Sequence, residues 1–135
     1  MNIKDFFKLY TVSVIVFFVV DLLWLGVIAK DLYRKYLGHL MRPSPLWSVA
    51  ILFYLLFNVG LVVFVVYPAV QKGSFTYALV YGAFFGFITY MTYELTNWAV
   101  IREWPWQIVI IDIVWGIVLA AAVSSGAYLL GKSWI

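Results

Sequence analysis

The chain has 135 residues, 66% apolar, 21% aromatic and only 11% charged, with nine basic residues, six acidic residues and a net charge of +3. A soluble domain of this size needs far more charge to cover its surface, so the composition excludes one and marks an integral membrane protein. The absence of cysteine also excludes thiolate nucleophiles, disulfides and cysteine-bound metals.

The first apolar run extends from about residue 9 to 29 and follows Lys4 and Lys8. It is longer than the apolar core of a signal peptide, and Ala29-Lys30-Asp31 offers no small-residue cleavage pattern. A retained span is therefore expected. It carries an acid, Asp21, with Trp24 three residues on.

The loop from Lys30 to Arg42 is basic and aromatic. If helical, it would align Leu32, Tyr36 and Leu40 on one face, which suits an interfacial helix against anionic headgroups. It could cap a site beneath it or serve as a plain connector. His39, the one histidine, lies in this loop, which argues against haem, zinc or multi-histidine iron within the spans.

Pro43 and Pro45 precede a second run, about 46–67, which Pro68 should close. It contains Tyr54 and Asn58. The turn Gly73-Ser74 leads to a third run, about 75–100, in which Ala78, Gly82, Gly86, Tyr90, Glu94 and Trp98 recur every four residues, with Asn97 beside them. Pro105 opens the fourth run, about 106–130, where Asp112, Gly116, Ala120 and Ser124 repeat the same spacing and Trp115 follows Asp112. Small residues at this interval let membrane helices approach closely.

Each run is far longer than a barrel strand and lacks alternation, so the expected fold is an all-α bundle of four transmembrane helices in a single domain, residues 1–135, with both termini on one side. Basic residues are divided almost evenly, five on the side of the first and third loops and four on the side of the termini, so orientation stays open.

Asp21, Glu94 and Asp112 carry the functional signal. A carboxyl deep in a span costs roughly 2.5–3.5 kcal/mol, so it calls for a partner, a cavity or a task. Asp21 lies nine residues before Lys30, and Glu94 and Asp112 each lie nine residues from Glu103. At 1.5 Å per residue all three sit about 13–14 Å inside the helix ends, at a level flanked by Tyr54 and Asn58. Desolvation and mutual repulsion make a shared proton the simplest occupant of such a layer. The segments around Asp21 and Asp112 also share an Asp-x-x-Trp core followed by glycine, an echo compatible with an inverted repeat. Trp24, Trp98 and Trp115 are thus expected at the site, whereas Trp47, Trp104 and Trp106 read as interfacial belt residues.

The candidate ligand-binding set is therefore Asp21, Trp24, Tyr54, Asn58, Tyr90, Glu94, Asn97, Trp98, Asp112 and Trp115. The same groups could instead form a network that only locks the bundle. No cofactor is expected, because there is no phosphate-cradling glycine loop and no lysine within a span for a Schiff base. Expected partners are membrane lipids, a small ligand or ion, and a second copy of the chain if a transport pathway must be completed. Nucleic acid is not among them.

The segments Asp21-x-x-Trp24-x-Gly26, Tyr33-x-x-x-Leu37-Gly38-His39-Leu40, Phe53-Tyr54, Gly86-Phe87-x-x-Tyr90-x-Thr92-Tyr93-Glu94-Leu95-Thr96-Asn97 and Asp112-x-x-Trp115-Gly116 together resemble the bacterial membrane family catalogued as domain of unknown function 2177. The resemblance spans nearly the whole chain and implies a small four-helix protein of the bacterial inner membrane, without bringing an activity. The family pattern has aspartate where this chain has Glu94, one methylene longer. The reading that follows is a buried acidic and aromatic site for a small ligand or ion, with proton-coupled transport as its use. The alternatives are a membrane-embedded enzyme acting on a lipid or isoprenoid, with Glu94 or Asp112 as general acid or base, and an accessory subunit of a larger complex.

Overall fold

A computed structural model describes residues 1–135 and holds four helices long and apolar enough to cross a membrane: Ile3–Ile28, Trp47–Lys72, Phe75–Val100 and Trp106–Trp134. A six-residue loop helix, Leu32–Leu37, lies between the first two. The ends follow local chemistry. The Asn2 side chain accepts the Lys4 N–H at 2.8 Å to start the first span, and Ser74 Oγ accepts the Tyr77 N–H at 3.0 Å to start the third. Gly73 closes the second span in the left-handed region, φ 61°, where a glycine carries no Cβ penalty.

Two boundaries differ from expectation. The first helix begins at Ile3, well before residue 9, because the Asn2 cap supports an amphipathic first turn outside the apolar run. The second helix passes through Pro68 to Lys72 instead of ending at Tyr67. The cause is a π-helical turn over Val62–Val66, in which the Tyr67 N–H reaches back to the Val62 carbonyl. The widened turn relaxes the hydrogen-bond register just ahead of the proline ring, so the kink penalty of an interior proline is avoided.

The third and fourth spans pack along their whole length on the small-residue stripes. A Cβ on Gly86 would collide with the Gly116 backbone carbonyl, and one on Gly82 would lie 2.7 Å from Ser124 Oγ. Lipid tails are as apolar as leucine, so van der Waals fit between backbones supplies the association. The first span lies on the other side of the fourth, and Leu9, Phe17, Leu61, Val62, Leu119 and Val123 fill the centre with essentially no exposure. At the terminal end Lys8 Nζ donates to the Trp134 carbonyl at 3.1 Å, which places both termini on one side as expected.

Replacing Gly86 with leucine should destabilise the bundle by about 1–3 kcal/mol or more, because the added side chain has no room against Gly116. Gly26→Ala, whose new methyl meets nothing within 4 Å, should be close to neutral. Unfolding of both variants in mixed micelles by a denaturing detergent checks the contrast.

Candidate functional site

The first and fourth spans run antiparallel, and their Asp-x-x-Trp motifs meet. The Trp24 and Trp115 rings stack with centroids 4.3 Å apart and planes 7° from parallel. A π-helical turn over Trp24–Ile28 opens the end of the first span at that point, with the Ala29 N–H donating to the Trp24 carbonyl at 2.7 Å. Such turns are frequent where a side chain is re-aimed at a functional site.

The two motifs exchange partners. The Trp115 indole and the Tyr54 hydroxyl lie beside the Asp21 carboxyl. On the other side, Trp24 Nε1 donates to the Tyr33 hydroxyl at 3.0 Å, and that hydroxyl donates to Asp112 Oδ1 at 3.0 Å. Asp21 thus faces the tryptophan of the opposite helix, and Asp112 is reached from Trp24 through the Tyr33 hydroxyl.

Close packing of the third and fourth spans brings Glu94 beside Asp112, within hydrogen-bonding reach. Two carboxyl groups form such a bond only through a proton carried by one of them. Glu94 Oε1 also accepts Trp104 Nε1–H at 3.0 Å. The three acids are 8%, 1% and 7% exposed, for Asp21, Glu94 and Asp112 respectively. No lysine or arginine occurs between Lys8 and Lys30, between Arg42 and Lys72, between Lys72 and Arg102, or between Arg102 and Lys132. The donors are therefore indoles and phenols, and the acids meet no compensating cation.

These groups surround a cleft of about 360 Å³ whose walls include Asp21, Trp24, Tyr33, Tyr54, Tyr90, Asp112 and Trp115. A second volume of about 330 Å³ shares Phe53, Tyr90, Tyr93 and Asp112 with it and adds Thr89. Tyr90 is held in place because its ring fills the space a side chain would need at Gly116.

Of the expected set, Asp21, Trp24, Tyr54, Tyr90, Asp112 and Trp115 line the cleft. Glu94 stands behind Asp112, and Asn97, one turn beyond Tyr93 on the third span, does not line the cleft. Asn58 does not line it. One turn from Tyr54, Asn58 is buried and donates to the Tyr54 carbonyl at 2.8 Å. Trp98 is half-exposed on the outer face, since i+4 steps drift around a 3.6-residue helix and leave the stripe by its last member. Trp104, read as a belt residue, is instead the donor to Glu94. Asp21, Glu94 and Asp112 do not gather into a metal-ligating cluster, although they share one layer.

Tyr33 was the residue with the weakest local signal. The loop helix stops at Leu37, so Leu40 lies beyond it and the Leu32-Tyr36-Leu40 face that a longer helix would present does not form; Tyr33, in its first turn, reaches Asp112. The loop caps the acid layer through Tyr33. Burial, and then the neighbouring Asp112, push the Tyr33 phenol above its ordinary value. A raised value means that the folded cap holds its proton more tightly, so this contribution is complete at neutral pH and is lost only as pH rises through the raised value.

Tyr33→Phe should leave the Trp24 N–H and Asp112 without their shared partner, at a cost of about 1–3 kcal/mol. Trypsin should then cut at the exposed Arg34 or Lys35 several-fold faster, while the parent chain stays protected up to at least pH 10, where a solvated tyrosine begins to ionise.

Comparison with known proteins agrees with this architecture. No curated protein and no solved structure matches the chain significantly. The family described as predicted membrane protein (DUF2177) matches residues 6–129, which include the whole acid layer, its capping loop and most of all four spans. The chain therefore belongs to the DUF2177 family of membrane proteins.

Proposed function

We propose that the cleft binds a small organic cation in exchange for the proton between Glu94 and Asp112, and that this exchange is the loading step of proton-coupled transport. The observation that carries the reading is the aromatic cleft walled by Asp21 and Asp112, with the Glu94 carboxyl behind Asp112 and no basic side chain among its walls. A positive ligand there gains both the carboxylates and the faces of Trp24, Trp115, Tyr54 and Tyr90, and cation–π attraction contributes about 2 kcal/mol when desolvated. An organic cation is favoured over a metal ion because the acids lack metal-ligand clustering.

Coupling follows from charge balance. While the Glu94–Asp112 contact is intact, one proton bridges it. A cation that approaches Asp112 replaces that proton as the positive partner, and the proton leaves. Rebinding of the proton restores the carboxyl contact and expels the cation, so the two occupants exclude one another.

In lipid nanodiscs, benzyltrimethylammonium should bind with release of about one proton, measured by calorimetry in buffers of different ionisation enthalpy. Asp112→Asn should weaken binding by about tenfold or more, a loss of ~1.4 kcal/mol. Glu94→Gln, which retains hydrogen bonding to Trp104 but not the exchangeable proton, should bind without proton release. Unchanged affinity and proton release in the Glu94→Gln/Asp112→Asn double variant would sink the proposal.

A further inference from the structure

Resting on the cation-binding reading of the cleft, we infer that its ligand is a single-chain amphiphile with a cationic head, entering sideways from the bilayer between the second and third spans. The side opening is the volume lined by Phe53, Thr89, Tyr90, Tyr93 and Asp112. Phe53 lies six residues into the second span from Trp47, and Tyr93 lies seven residues from the end of the third at Val100. The opening therefore begins about 9–11 Å inside the helix ends. In a bilayer that depth faces acyl chains. Phe53 and Tyr93 are about half-exposed on its two edges.

Below the opening the same seam continues. Phe57 and Phe85 meet across it with ring centroids 5.3 Å apart, and Phe85 fills the space beside Gly60. On their far side lies a groove of about 370 Å³, lined only by apolar and aromatic side chains, among them Phe64, Tyr77, Tyr81, Phe84 and Ile88. From Thr89 at the opening to Tyr77 at the groove's end the third span rises about 18 Å, the reach of an extended alkyl chain. Ile88 and Thr89 are consecutive, so the groove and the opening adjoin. Acidic groups occur only at the cleft end of this path. A molecule matching it has a positive head and one apolar tail, whereas a compact hydrophilic ion would match the cleft but leave the groove unused.

The experiment compares dodecyltrimethylammonium with tetramethylammonium as competitors of benzyltrimethylammonium in zwitterionic nanodiscs. It is paired with photolabelling by a dodecylammonium that carries a diazirine at its chain end. The long chain should compete about tenfold better or more, and label should fall on residues 77–88 in a manner lost in Asp112→Asn. Ile88→Trp, at a lipid-facing position that should not disturb folding, should reduce the long-to-short ratio toward one by filling the groove. If tetramethylammonium and benzyltrimethylammonium bind but the chain adds nothing, the amphiphile is overturned and the cleft reading stands. The same follows if label on residues 77–88 is equal in Asp112→Asn, or if it captures a second copy of the chain instead. If no cation binds at all, both fall.

Discussion

Backbone contact between Gly86 and Gly116 sets the geometry on which the remaining features depend. It draws the third and fourth spans together closely enough for Glu94 to touch Asp112, and it leaves the notch at Gly116 that the Tyr90 ring occupies. With that pair fixed, the first span can lay Asp21 and Trp24 against the opposite face of the fourth, where Trp115 completes the stack. The fourth span is accordingly the most buried of the four, the post around which the other elements are arranged.

The electrostatic design is unusual for its lack of any basic partner. Membrane acids commonly pair with Lys or Arg, whose removal of charge would make the site inert to further cations. Here indole N–H and phenol O–H groups orient the carboxyls without neutralising them. Tyr33, Trp24 and Trp104 satisfy acceptors, and the positive charge that would complete the site is left to a proton or a ligand. The acids are thereby kept both tolerated in the bilayer and available.

The spans, the shared level of the three acids and the close third–fourth packing were legible in the chain because hydropathy, rise per residue and small-residue spacing are local or one-dimensional properties. Rotation about each helix axis was not. Trp98 faces lipid because each four-residue step overshoots a helical turn by about 40°, a drift that accumulates along the stripe, whereas Trp104 lies in the non-helical loop between the third and fourth spans, where no helical periodicity applies. Tyr33 was hidden for a different reason. Its contact with Asp112 spans 79 positions and depends on where a six-residue helix ends. Pro68 does not end the helix because a π-helical turn that closes two residues upstream changes what a proline costs, and nothing in Val62–Val66 announces such a turn.

The stacked indoles of Trp24 and Trp115 have one more consequence. Two identical chromophores 4.3 Å apart and nearly parallel couple their electronic transitions, so they absorb as a pair and not as independent rings. No other pair of tryptophans in the chain stacks. The strongest coupling between tryptophans therefore lies at the crossing of the two aspartate motifs, giving the centre of the cleft an indole signature of its own, distinct from the stacked phenols of Tyr77 and Tyr81.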